Sequence, residues 1–119
     1  KMDAAQMLAH VTAFLELGMS DRKARRTLMG RIFGANVKRQ ILTKGVPQNL
    51  PTIPSIKISD TRQFQKEKEG LERKLEKFFK GGEGGITTQP HDFFGRLTPN
   101  EWARLQYLHM DHHFRQFGV

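Results

Sequence analysis

The stretch that decides the fold is residues 98–118, TPNEWARLQYLHMDHHFRQFG. It predicts a helix, because Thr98 can cap the first turn, Pro99 suits the first helical position and Glu101 completes a capping box. Gly118 follows the last aromatic residue and supplies a C-terminal stop. The stretch also holds three of the five histidines of the chain. A helix here therefore carries candidate metal ligands as well as core residues.

The histidines of this helix are spaced for metal binding. His109 and His113 are four residues apart, which places two imidazoles on one helix face, one turn apart. His112 competes with His113, because it lies three residues after His109. We favour His113, which is better aligned with the stripe that runs through Trp102 and Leu105. Zinc and similar ions require at least three protein ligands, so a third must come from elsewhere in the chain.

The first helix is predicted over residues 3–18, DAAQMLAHVTAFLELG. Apolar residues recur along it at helical spacing, Asp3 and Gln6 can form a capping box, and Gly18 ends the run. His10 lies on the apolar stripe, so its side chain is expected to point toward the interior. It is the candidate third ligand. The alternative is a core-edge histidine that one hydrogen bond satisfies.

Residues 21–44 hold most of the positive charge. They contain eight Lys and Arg residues and one acidic residue, a net charge of +7, whereas the whole chain has +8. Anionic partners are one interpretation; we favour a solvated helical face, because no aromatic stacking pattern or nucleic-acid motif accompanies the cations. Nucleic acid is therefore not an expected partner. The segment is also predicted to be helical from its apolar pattern, which comprises Leu28, Ile32, Phe33, Val37, Ile41 and Leu42. Gly30 and Gly34 either break this helix in two or allow it to approach another helix closely.

The stretch between the basic segment and the last helix contains one more helix. Three prolines keep residues 45–59 extended: Pro47, Pro51 and Pro54. Residues 60–80 predict a helix that Asp60 and Gln63 cap with a box. Its apolar stripe comprises Phe64, Leu71, Leu75 and Phe78. A glycine-rich loop follows over residues 81–97, and His91 is expected at its surface.

Composition limits the chemistry of the chain. Its 119 residues suit one domain. Because there is no cysteine, disulfides, thiolate ligands and a thiol nucleophile are excluded, and a cytoplasmic location fits. No apolar run approaches about 20 residues, so we expect no transmembrane helix and no membrane partner. The chain begins at Lys1 rather than Met, and an N-terminal piece is expected to be missing.

Three stretches resemble an uncharacterised family of the DinB-like superfamily: KMDAAQMLAHV, KGVPQNLPT and HDFFGRLTPNEW…LQYLHMDHHFRQFGV. The resemblance implies an all-α, four-helix bundle with a divalent metal on three histidines, here His10, His109 and His113. The first helix of that superfamily has no counterpart in the chain, so the bundle is expected to lack it. His91 lies where relatives often have His-Pro before two phenylalanines, and its role stays open.

The same resemblance implies a reaction class. Several branches of the superfamily are metal-dependent thiol S-transferases, so a low-molecular-weight thiol is the implied small-molecule substrate, with a metal-dependent hydrolase as another reading. Three imidazoles suit zinc or nickel and also accept iron or manganese. A chain that lacks one helix would expose apolar surface and could form a homodimer. The rival function is a non-catalytic helical module that binds anionic partners through residues 21–44.

Overall fold

A computed structural model describes residues 2–48, 50 and 52–119. Most of them belong to four α-helices, and no β-strand occurs among them. The helices are α1 (Ala4–Leu17), α2 (Leu28–Lys44), α3 (Phe64–Gly81) and α4 (Pro99–Gln116). Two short 3₁₀ turns, Pro54–Ile56 (the 54–56 turn) and Glu83–Gly85, interrupt the connections. The predicted all-α fold is confirmed.

The helices α1 and α4 begin at the predicted capping boxes. The Asp3 carboxylate accepts from the Gln6 amide at 2.8 Å, and the Gln6 side chain accepts from the Asp3 amide at 3.0 Å. Thr98 and Glu101 make the same reciprocal pair, at 3.1 and 2.9 Å. Each box satisfies two backbone amides that a helix start would otherwise leave without a partner.

The start of α3 differs from the prediction. Gln63 occupies the N-cap position without a side-chain hydrogen bond, and the Asp60 carboxylate instead pairs with Arg62 at 3.0 Å. The predicted Asp60–Gln63 box is therefore wrong, because α3 begins at Phe64 and Asp60 lies three residues before the N-cap. Phe64 is exposed and does not join the apolar stripe of α3. The members of that stripe that do pack into the core are Leu71, Leu75 and Phe78.

Within the basic segment, only residues 28–44 are helical. Thr27 caps α2 by accepting from the Gly30 amide at 2.9 Å. The helix runs unbroken through Gly30 and Gly34, where it touches the loop that precedes α4. A Cβ atom at Gly30 would lie 2.5 Å from the carbonyl oxygen of Phe93, and one at Gly34 would lie 2.2 Å from it. The glycines therefore allow α2 to approach its neighbour closely, which was one of the two predicted roles. The neighbour is a loop and not a second helix.

The close approach turns the apolar residues at the start of α2 outward. Leu28, Ile32 and Phe33 are 72, 58 and 46% exposed, so these members of the apolar pattern face solvent and not the core. Leu28 and Ile32 lie on the helix face opposite the two glycines, and Phe33 lies at its flank. It is the glycine face that meets the protein. Farther along the helix, Ile41 is buried and joins the core.

The core consists of two apolar clusters, and α1 contributes to both. This helix packs most extensively against α3 and also against α4, while α2 packs against α4. One cluster centres on Phe14, Ile41, Ile56, Leu97, Trp102 and Leu105. The other comprises Met7, Leu8, Val11, Leu15 and Leu71.

None of the helices in the described part of the chain has the length and apolar character needed to cross a membrane. The connection between α2 and α3 is non-helical apart from the 54–56 turn over its described residues. Pro51, one of the three prolines from which an extended connection was predicted, lies outside the described residues.

Substitution of Gly34 tests the close approach. We expect Gly34→Ala to lower the free energy of unfolding by about 1 to 3 kcal/mol, because the new methyl group collides with a backbone carbonyl that cannot move alone. Gly70→Ala is the matched control. Gly70 also lies within a helix, and its nearest atom would be 3.9 Å away, so alanine should stabilise by about 0.5 to 1 kcal/mol. Urea denaturation measures both; equal effects of the two substitutions would contradict the packing described.

Candidate metal centre

The helix α1 carries His10 into the protein interior, where it is almost fully buried. Its Nδ1 atom lies 2.9 Å from the carbonyl oxygen of Ile56. A carbonyl oxygen only accepts, so Nδ1 carries the proton and donates it. In the neutral ring the Nε2 atom then keeps a free lone pair, which is the state that binds a metal ion.

The helix α4 brings two more imidazoles to the same place. The Nε2 atom of His109 lies 2.9 Å from the Nε2 atom of His10. The ring centre of His113 lies 4.7 Å from that of His10 and 4.6 Å from that of His109. The three residues together offer nitrogen atoms that all lie within 4.8 Å of one another. The fold thus brings together the three histidines that the sequence singled out.

The separation between His10 and His109 suits a shared cation. Two nitrogen atoms bound to one ion at about 2.0–2.1 Å, at tetrahedral or octahedral angles, lie about 2.9–3.4 Å apart. The distance of 2.9 Å between the Nε2 atoms of His10 and His109 falls in this range. The Nδ1 atom of His113 lies 3.0 Å from the side-chain oxygen of Gln116, so it donates there and leaves its Nε2 atom unprotonated.

Burial keeps these three rings neutral. It is the largest cause that lowers the pKa of each, and it lowers the pKa of His113 to about 4. The proximity of other imidazoles adds to the effect at His109 and His113. At neutral pH all three therefore carry lone pairs and no charge, as metal ligands must.

One atom of His109 is an orphan. Its Nδ1 is buried and has no hydrogen-bond partner. Since His10 Nε2 is an acceptor, a metal-free pair requires His109 to donate through Nε2, which leaves a buried acceptor unpaired at Nδ1. With a cation between the rings, both Nε2 lone pairs are used, and the His109 proton lies on Nδ1, which is then a buried donor without a partner. The unpaired Nδ1 atom therefore does not distinguish the two states. The donor set fits a metal ion because three neutral imidazoles offer nitrogen atoms at one place.

His112 lies outside the cluster. Its Nε2 atom is 3.2 Å from the side-chain nitrogen of Gln116, and its ring centre is 5.2 Å from that of His113. Burial lowers its pKa as well, although the ring is partly exposed. Of the two candidates for the second position on α4, the structure places His113 beside His10.

The expectation that His91 lies at the surface is wrong. It is 3% exposed, and its Nδ1 atom accepts from the amides of Phe93 and Phe94, both at 3.0 Å. The ring stacks on Phe94 with centres 4.4 Å apart, and burial lowers its pKa to about 4. His91 thus closes a tight loop that ends at Gly95, whose φ of +83° suits glycine. The short spacing between His91 and Gly95 in HDFFG was the sequence feature that could have indicated this loop.

The interactions of Asp92 were not predicted from the sequence. It is 4% exposed, and its carboxylate accepts from the Arg22 guanidinium, the Arg25 amide and the Ser55 hydroxyl, at 3.2, 2.8 and 2.7 Å. Arg26 donates to three backbone carbonyl oxygens of the same loop. Arginines of the basic segment therefore hold the loop in place. These partners lie 37 to 70 residues from Asp92, and no local motif marks them.

The buried histidines make stability depend on pH. The pKa of His91 is depressed to about 4, so between about pH 6.5 and 4 the unfolded chain binds a proton that the folded chain does not. The contribution of the neutral His91 ring to the free energy of unfolding is therefore fully present above about pH 6.5 and is lost as the pH falls toward 4. His91→Asn keeps an acceptor oxygen but does not titrate. We expect a smaller slope of unfolding free energy against pH in this variant, measured without metal; an unchanged slope would contradict the assignment.

Comparison with known proteins places the chain in a family. No curated protein and no solved structure matches it. A family model described as a protein of unknown function (DUF1569) matches residues 1–118, which is nearly the whole chain. The chain with the three clustered histidines belongs to this DUF1569 family.

Proposed function

We propose that the chain binds one divalent metal ion through His10, His109 and His113 and that this centre serves a reaction of a small molecule. The observation that carries the proposal is the convergence of three imidazoles whose nitrogen atoms lie within 4.8 Å of one another. Two supporting contacts orient the rings, from the carbonyl of Ile56 and the side chain of Gln116. Such partners of the second ring nitrogen are usual at histidine metal sites.

The proposed metal is zinc or nickel. Imidazole nitrogen is a borderline ligand that suits both ions, and iron or manganese are the further candidates. Three protein ligands leave coordination positions for water or substrate, which is the arrangement of catalytic and not of closed structural sites. His109 and His113 are partly exposed, so the centre can be reached from the surface of α4.

We further propose that the fold is DinB-like and that the reaction is thiol S-transfer. The all-α architecture and the placing of one ligand on an early helix and two on the last support this assignment. A divalent ion in the site would supply a Lewis acid that favours the thiolate form of a thiol. The chain has no cysteine, so the thiol must come from a low-molecular-weight cosubstrate. A metal-dependent hydrolase is the alternative within the same class.

An open cleft lies beside the 54–56 turn, but none of His10, His109 and His113 lines it. Ile56 borders this cleft, and its carbonyl oxygen accepts the proton of His10. Arg22, Lys74 and Lys77 also line it, with Glu16 as the acidic residue. Arg22 is bonded to Asp92, and Lys74 pairs with Glu16 at 3.8 Å, so these cations are partly neutralised within the chain.

The rival function, a binding module for anionic partners, has less support. Arg22 and Arg26 are committed to the loop around Asp92, and Lys38 pairs with Glu101 at 3.3 Å. Five cations of the basic segment remain exposed, namely Lys23, Arg25, Arg31, Arg39 and Lys44. They are spread over an extended stretch and a helix, which fits the solvated face favoured from sequence.

Metal analysis tests the centre. We expect the purified protein, after loading with Zn²⁺ and desalting, to retain one ion per chain. His109→Ala should weaken Zn²⁺ binding at least about 100-fold, because it removes a ligand and not a supporting contact. His10→Ala and His113→Ala should behave alike. Elemental analysis and competition with a chromophoric chelator measure both quantities.

The matched control is His112→Ala. It removes an imidazole from the adjacent position of the same helix, outside the cluster. Because His112 contacts Gln116, which accepts from His113, we expect at most about a 10-fold loss of Zn²⁺ affinity, far less than for a ligand. Equal losses in His112→Ala and His113→Ala would contradict the assignment of ligands. A protein that retains no Zn²⁺, Ni²⁺, Fe²⁺ or Mn²⁺ would contradict the metal centre itself.

The reaction class is tested separately. Metal-loaded protein should accelerate attack of a small thiol on an alkyl halide, in which a carbon–sulfur bond forms, halide leaves and the thiol proton passes to solvent. The acceleration should disappear with chelator and in His109→Ala. Conjugate formation followed by mass spectrometry measures the rate. If loaded protein leaves a panel of thiols and electrophiles at the uncatalysed rate, thiol transfer is wrong while the metal centre stands.

A further inference from the structure

The buried carboxylate of Asp92 joins three distant segments. Its Oδ1 atom accepts from the amide of Arg25, and both oxygens accept from the guanidinium of Arg22. Its Oδ2 atom also accepts from the hydroxyl of Ser55 at 2.7 Å. Burial on its own would raise the pKa of Asp92, but these donors outweigh it and lower that pKa. The carboxylate is therefore charged and strongly bound on both sides.

Only one of these contacts reaches the 54–56 turn. Ser55 is the middle residue of that turn, and Ile56 follows it directly. The turn is short, with two backbone hydrogen bonds, from the Ile56 amide to the Ile53 carbonyl at 3.2 Å and from the Lys57 amide to the Pro54 carbonyl at 3.3 Å. Its orientation depends on the contact between Ser55 and Asp92 and on the packing of the buried Ile56 side chain.

The 54–56 turn orients His10 through the carbonyl oxygen of Ile56. The Ile56 carbonyl is the acceptor that holds the proton of His10 on Nδ1. A shift of this carbonyl would release the ring, and the tautomer with the proton on Nε2 would then be accessible. That tautomer has no lone pair on the atom that faces His109.

We propose that Asp92, acting through Ser55, is a positioning residue for His10 and thereby for the metal centre. The contacts run in order from the Asp92 carboxylate to the Ser55 hydroxyl, along the backbone to the Ile56 carbonyl, and on to His10 Nδ1. This proposal rests on the proposed metal site. It adds the contacts that fix His10, the most buried of the three ligands. Asp92 touches neither metal nor substrate in this role.

Ser55 allows this role to be separated from general stability. Its side chain is largely exposed, so Ser55→Ala removes one hydroxyl without opening a buried cavity. Asp92 keeps its bonds to Arg22 and Arg25 in that variant, and the loop stays anchored. Ser55→Thr restores a hydroxyl in the same position. Ser59→Ala is the matched control, because Ser59 is an exposed serine of the same connection.

The first experiment measures Zn²⁺ affinity by chelator competition. Loss of an outer contact of a ligating histidine typically costs about 10- to 100-fold in affinity, so one step farther out we expect about 3- to 10-fold for Ser55→Ala. Ser55→Thr should return most of the affinity, and Ser59→Ala should leave it unchanged. Ser55→Ala also loses a hydrogen bond to a buried carboxylate, at a cost in stability, so affinities are compared at a temperature where every variant is fully folded.

The second experiment needs no metal. Nitrogen-15 spectra of the imidazoles report which ring nitrogen carries the proton. His10 in the unaltered protein should show the Nδ1–H tautomer, and Ser55→Ala should raise the share of Nε2–H. This readout would not respond to a loss of stability alone.

The outcomes separate the two proposals. If Ser55→Ala keeps both Zn²⁺ affinity and the Nδ1–H tautomer, the positioning role is overturned while the metal centre stands. If the unaltered protein binds no metal, the centre is wrong, and the tautomer of Ser55→Ala still decides the role of Asp92. Equal losses of affinity in Ser55→Ala and Ser59→Ala would also overturn it.

Discussion

A charged carboxylate buried in the protein is the constraint on which much of this structure depends. Asp92 can be buried as an anion only because an arginine, a backbone amide and a hydroxyl all reach it. Satisfying it fixes three segments at once: the extended stretch before α2, the 54–56 turn and the loop before α4. A helical protein with long connections gains from one polar group that orders several of them.

The same loop explains why α2 packs as it does. Arg26 and Thr27 bond the backbone of the loop, and the glycine face of α2 lies directly on the carbonyl of Phe93. A larger residue at Gly34 would separate helix and loop. Leu28 and Ile32 lie on the opposite side of this helix and Phe33 lies at its flank, and all three form an exposed apolar surface.

The histidine cluster combines burial with incomplete hydrogen bonding. Desolvation keeps the rings neutral, and acceptors hold the second nitrogen of His10 and of His113. His109 lacks such an acceptor, and its Nδ1 is one of two buried side-chain polar atoms that have no partner within the described part of the chain. Strain of this kind is typical of functional sites, which is why the cluster carries the proposed function.

The sequence by itself determined what depends on neighbours three or four positions away. These features are the four helices, the capping boxes at Asp3 and Thr98, and the shared helix face of His109 and His113. Helical periodicity and capping are short-range effects, so they can be read without knowing the fold. The same reasoning failed at Asp60, because α3 begins at Phe64 and the Asp60 carboxylate pairs with Arg62 outside the helix.

Only the tertiary structure decided which distant groups meet. His10 and His109 are 99 residues apart, and their Nε2 contact depends on how α1 and α4 pack. The burial of His91 and the bonds of Asp92 depend in the same way on segments that no local pattern relates. The resemblance to known bundles anticipated the grouping of three histidines, but their hydrogen bonds could not be foreseen. Long-range contacts follow from the packing of the whole core, because each apolar face can be buried against several partners until all the helices are placed.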